Sequence, residues 1–138
     1  MTTIRHFIGG ADAGETTRTL PVYNPATGEA HRQVAAASTA EVDGAIAIAK
    51  AALPAWRSSS LIKRADVFFR LRQILAERTD ELAAIVTSEH GKVLSDAAGE
   101  VSRGIENVEF AAGLVHLLKG ERAEQVSRGV DVHSVKQP

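Results

Sequence analysis

Arg103 stands within residues 95–119, SDAAGEVSRGIENVEFAAGLVHLLK, the longest stretch of the chain that keeps helical periodicity. Stepping by three or four residues from Val101 gives Val101, Ile105, Val108, Ala112 and Val115, an apolar stripe suited to a core. At about 100° per residue, Arg103, Phe110, Leu114 and Leu117 fall on the opposite side, so the helix is apolar on two faces and one of them carries a guanidinium. Such a group can bind a carboxylate through two parallel donors. It can equally be an arginine whose stem is packed and whose head lies in water or pairs with a neighbouring glutamate. Glu100, Glu106 and Glu109 on the same segment are open to acid–base work, to ion pairing or to simple solvation. Gly99, Gly104 and Gly113 each weaken a helix interior by about 1 kcal/mol relative to alanine, which predicts that something lies close against the backbone there.

Several other chemistries are excluded. The chain has no cysteine, which removes disulfides, thiolate metal ligands and a cysteine nucleophile from these residues. His6, His31, His90, His116 and His133 include no HExxH and no pair at helical ligand spacing, so they are read as ordinary surface or satisfied core side chains and no metal is expected. Gly91-Lys92 is not a phosphate-binding loop, since Val86 stands where its first glycine belongs and Val93 where a hydroxyl belongs. Gly9-Gly10 fails the dinucleotide pattern at Ala11. A net charge of −1 with interleaved signs offers no footprint for nucleic acid or anionic lipid. Neither a membrane-spanning run nor a signal peptide is visible, and the cytoplasm is the default compartment.

The elements that must position Arg103 are legible in outline. Residues 1–37 predict short antiparallel strands: a first strand on Ile4, Phe7 and Ile8, a tight hairpin at Gly9-Gly10, and a second strand on Leu20, Val22 and Tyr23. A dense turn at 24–28 then precedes a third extended stretch at 32–36. Ser38 and Glu41 have the spacing of a capping box and open a first helix, with Val42, Ile46, Ala49 and Leu53 on one face; Pro54 is expected to end it near Leu53, and Trp56 to plug that end. Ser60 caps a second helix, with Leu61, Ala65, Phe68, Leu71 and Leu75 inward and Lys63, Arg64, Arg70 and Arg72 outward. A third helix starts at Thr79-Asp80-Glu81 and stops at Gly91, and the long fourth carries Arg103. After Gly120, Val130, Val132 and Val135 predict one strand that nothing in the chain pairs.

Three motifs in order, Asn24-Pro25-Ala26-Thr27-Gly28-Glu29, Ala52-Leu53-Pro54-Ala55-Trp56 and Glu89-His90-Gly91-Lys92, resemble the opening of the aldehyde dehydrogenase superfamily. The run from Gly99 through Arg103 to Gly113, GEVSRGIENVEFAAG, is similar to the CoA-acylating methylmalonate-semialdehyde dehydrogenase branch. The likeness covers nearly the whole chain, although residues 11–15 lack the aromatic usual in the second hairpin arm. It implies the α/β aldehyde dehydrogenase fold, of which this chain is an N-terminal fragment comprising a β-hairpin region (1–37), four helices of the NAD-binding domain (38–119) and the start of an oligomerisation strand (120–138). It implies NAD as cofactor, coenzyme A as co-substrate, a semialdehyde acid as substrate and a homo-oligomer. The expected reaction has a cysteine attack the aldehyde, passes hydride to NAD, loses carbon dioxide and ends in transfer to coenzyme A. The family's catalytic cysteine and nucleotide-binding loops lie beyond Pro138, so no catalytic or cofactor-binding residue is assigned here. The branch's carboxylate-binding arginine falls on Arg103, which is the expected substrate-binding residue. A different class of function remains open: a self-standing helical interaction module that docks partners along the 130–135 strand.

Overall fold

The computed structural model describes residues 2–14 and 18–137. Three short strands open the chain: β1 (Thr2–Ile4), β2 (His6–Ile8) and β3 (Ala11–Ala13). Ile4 and Phe7 are three apart and cannot share one face of a continuous strand, and the chain breaks at Arg5, whose guanidinium donates to the Gly14 carbonyl. β2 and β3 form an antiparallel hairpin on Gly9 and Gly10, both at positive φ (65° and 88°), as a two-residue loop of this kind requires. Glu15, at the far end of the expected second arm, lies outside the described residues. β4 (Thr19–Tyr23) runs antiparallel to β5 (Ala30–Ala35). β1 instead lies parallel to β5, which corrects the expectation of a purely antiparallel start. A parallel neighbour distant in sequence has no hairpin signal to reveal it.

α1 (Thr39–Ser58) begins with the expected capping box: Ser38 Oγ accepts from the Glu41 N–H at 3.3 Å, and the Ser38 N–H donates to the Glu41 carboxylate at 2.8 Å. Those bonds, the Ser38 N–H foremost, hold the Glu41 carboxyl below its ordinary pKa. The helix does not stop at Pro54 but continues for another turn. No residue of α1 is buried, so the Lys50 carbonyl that Pro54 leaves without a donor can take one from water. The final turn is held by the Ser58 hydroxyl on Ala55 O and by the Ser59 N–H and hydroxyl on Trp56 O. Trp56 therefore belongs to the last turn rather than plugging an earlier end.

α2 (Leu61–Glu77) starts at Ser60, whose hydroxyl accepts from the Lys63 N–H, and α3 (Thr79–His90) follows after Arg78 alone. α4 (Leu94–Ala112) packs against both, with Ala97 and Ala112 buried and Val101, Ile105 and Val108 half-buried on the predicted stripe. The segment is not one helix to residue 119: α4 ends at Ala112 and the 3-10 turn Gly113–His116 takes over. The glycine expectation also fails, since nothing lies within 4 Å of where a Cβ would sit on Gly99, Gly104 or Gly113. The buried side chains among the described residues are all alanines: Ala35, Ala65, Ala83, Ala97 and Ala112. By contrast the expected inner face of α1 is open, with Val42, Ile46 and Leu53 all about half exposed.

The chain closes on a hairpin of β6 (Arg122–Ser127) and β7 (Val130–His133), not on the single unpaired strand expected. RAEQVS carries one large apolar residue, and all six of its residues are exposed, so it has no buried face to impose an alternation. Asp131 braces the bulge in β6 by accepting from the Gln125 N–H at 3.0 Å and from Arg122 at 3.1 Å. β7 is thus paired to β6 along one side and keeps its other edge open, as each strand of a two-stranded sheet does.

Gly91 sets the end of α3 against the turn at residues 24–28. It ends α3 at φ 84°, donates its N–H to Thr87 O at 2.8 Å, and would place a Cβ 3.0 Å from Pro25 Cγ. Gly91→Ala should therefore destabilise the full-length enzyme by about 1–3 kcal/mol, combining left-handed strain with the contact on Pro25. Urea midpoints check it: the loss should shrink when the same change is made beside Pro25→Ala, and equal losses in both backgrounds would leave only backbone strain.

Candidate functional site

The inward stripe of α4 fixes what faces out. With Ala97, Val101, Ile105, Val108 and Ala112 turned to α2 and α3, Arg103 and Phe110 lie on the exposed side, Phe110 at 67% exposure. Seven residues at the helical rise separate the two by about 10 Å along the axis. Asn107, one turn on from Arg103, donates its side-chain amide to the Arg103 carbonyl at 2.8 Å. Among the described residues the Arg103 guanidinium forms neither a salt bridge nor a hydrogen bond. Of the two forms of the alternative to carboxylate binding, pairing with a neighbouring glutamate is thus not what the structure shows, whereas a head in water fits the exposed side chain.

The carboxylates around it are accounted for separately. Glu100 is held by Lys92, whose ammonium donates to Oε1, and Glu109 by Arg72 at 3.4 Å. The bond from Lys92 is the main reason the Glu100 carboxyl sits below its ordinary pKa; the Arg103 charge adds only a small pull. Leu114 leaves the face that the helical count shares between Arg103, Phe110 and itself. Because the 3-10 turn breaks the 3.6-residue step after Ala112, Leu114 is carried into a different groove.

That groove, of about 160 Å³, lies between the end of α1, α2 and the turn after α4, lined by Trp56, Leu61, Phe68, Leu114, Val115 and neighbouring side chains. Arg64 lines it too, half-buried and with its Nε unpartnered, so it does not belong to the solvated cationic face expected of it. Two histidines depart as well: His6 Nε2 and both ring nitrogens of His31 are buried without a hydrogen-bond partner, which makes these side chains neither surface nor satisfied core. No spacing rule marks them, because His31 acquires its surroundings only when β5 is placed. Among the described residues no three potential ligands gather as a metal site, and no helix is long and apolar enough to cross a membrane.

Two of the three sequence motifs that open the chain meet in space. The turn at Asn24, where Asn24 O accepts from the Gly28 N–H at 2.8 Å, sets Pro25 against Gly91, and Arg32 reaches Glu89 at 3.2 Å. The third, through Trp56, lies at the groove described above.

The sequence profile of the aldehyde dehydrogenase family matches residues 12–138. The chain is 42% identical over 138 residues to the malonate-semialdehyde dehydrogenase of Pseudomonas aeruginosa, covering all of this chain and 28% of that one. The crystal structure of methylmalonate-semialdehyde dehydrogenase from Oceanimonas doudoroffii superposes with a TM-score of 0.95 at 48% identity, again over 100% of this chain and 28% of the other. A Sinorhizobium meliloti protein assigned as a methylmalonate-semialdehyde dehydrogenase and solved in complex with NAD gives 0.93 at 42% identity, over 99% and 28%. The chain thus spans about 28% of the length of the relatives it matches.

Proposed function

Since the chain belongs to the aldehyde dehydrogenase family, we propose that it forms part of an NAD-dependent, CoA-acylating dehydrogenase of malonate or methylmalonate semialdehyde, in which Arg103 binds the substrate carboxylate. The observation that carries this reading is an exposed arginine on α4, unpaired among the described residues and sharing its face with Phe110, in a segment 42–48% identical to enzymes named for these semialdehydes. A guanidinium suits a carboxylate because it stays charged and presents parallel donors to both oxygens, and the Phe110 ring, about two turns further along the same face, offers apolar surface. NAD, when bound, accepts the hydride; a relative solved with NAD supports its use here. This chain's contribution is to hold and orient one end of the substrate, since with no cysteine it supplies no thiolate to the aldehyde carbon. The family likeness further supports residues 38–119 as part of the NAD-binding domain, residues 120–138 as the start of an oligomerisation arm, and a homo-oligomeric enzyme working in the cytoplasm.

The test is product analysis of the full-length enzyme that contains these residues. Supplied with malonate semialdehyde, NAD and coenzyme A, it is expected to release acetyl-CoA, carbon dioxide and NADH in equal amounts, and methylmalonate semialdehyde should give propionyl-CoA. Release of the free acid at a rate indifferent to coenzyme A would refute the acylating reading.

A further inference from the structure

We infer that Lys92 is a positioning residue for the substrate arginine: by holding the Glu100 carboxylate it keeps Glu100 from pairing with Arg103 and leaves that guanidinium open to the substrate. The inference rests on the role proposed above for Arg103. Lys92 lies in the short link between α3 and α4, and its side chain is only 19% exposed, so its ammonium is directed rather than free to wander. Glu100 and Arg103 are three residues apart on α4, a spacing at which opposite charges pair, with the acid on the N-terminal side as the better order. They nevertheless form no salt bridge, and Glu100 is engaged by Lys92 instead. Glu106 also lies three residues from Arg103, but on its C-terminal side, the weaker arrangement, and it too forms no salt bridge with Arg103. Lys92 thus decides which cation Glu100 serves.

The experiment compares Lys92→Met, Lys92→Arg, Glu100→Gln, the double variant Lys92→Met/Glu100→Gln and Arg103→Leu in the full-length enzyme, with malonate semialdehyde and propanal as substrates. Lys92→Met is expected to raise KM for malonate semialdehyde roughly two- to fivefold, the span of an exposed ion pair, with kcat nearly unchanged and propanal far less affected. The double variant should return KM to the wild-type value, because the competing carboxylate has gone. Lys92→Arg, which preserves the pair, and Glu100→Gln alone should both keep wild-type KM, and these two decide between the roles should Lys92→Met fail to fold. A KM unmoved by Lys92→Met, a double variant that does not recover, or a large rise in KM on Glu100→Gln would overturn the inference and make the pair a structural clasp. Arg103→Leu separates the two levels: if it leaves the discrimination between substrates intact, the role of Arg103 itself has failed, whereas discrimination lost with Arg103→Leu but unmoved in Lys92→Met defeats Lys92 alone.

Discussion

Arg103→Leu in the full-length enzyme will lower kcat/KM for malonate semialdehyde by about one to two orders of magnitude and that for propanal far less. The size follows from the bond lost: a charge-assisted hydrogen bond contributes about 1.5–3 kcal/mol, which converts to roughly ten- to a hundredfold in catalytic efficiency. Leucine keeps an apolar side chain at this position on α4 while deleting the donors, so the helix itself should stand: its packing on α2 and α3 runs through the opposite stripe. Arg103→Lys should recover only part of the loss, because an ammonium keeps the charge but not the two parallel donors. Steady-state kinetics on the two substrates decide it. Equal losses on both, or none on either, would return Arg103 to the role of a solvated surface arginine.

The 138 residues on their own, purified and supplied with NAD and either aldehyde, will form no NADH above the buffer rate. Nucleophilic attack on the aldehyde carbon in this family requires a thiolate, and the chain contains no cysteine. Absorbance at the NADH band over the course of an hour is sufficient, with circular dichroism confirming that the helices are formed. Sustained turnover dependent on NAD would show that these residues hold a nucleophile of another kind.

What was legible in the residues was local. Ser38 with Glu41, Ser60, and Gly91 at the end of α3 all behave as their spacing predicts, because a helix cap is decided within four residues of chain. The valine stripe of α4 was legible for the same reason, and it alone places Arg103 on the outer face. What failed depended on surroundings. Pro54 reads as a stop, yet a helix with no buried residue can satisfy the freed carbonyl with water. β6 lacks an apolar alternation because neither of its faces is buried, and β1 pairs in parallel with a strand about thirty residues away, beyond any hairpin signal. Leu114 falls off the face of Arg103 because one 3-10 turn takes the residues after Ala112 away from the 3.6-residue count. The Lys92–Glu100 pair, which bears most directly on Arg103, joins an interhelical link to α4 and becomes visible only once that link is folded.

The buried side chains of the described residues contain nothing larger than a methyl group, and this reaches into the calorimetry of the segment. The heat-capacity change of unfolding follows the apolar area hidden in the native state, and here large side chains such as Phe7, Ile62, Phe69 and Phe110 are mostly in water before any unfolding begins. The segment by itself is therefore expected to melt with a small heat-capacity change, as a shallow transition with little curvature. Its amide protons are expected to exchange through local openings rather than through one global event, the capped helix ends and the α2–α4 seam each answering to its own free energy.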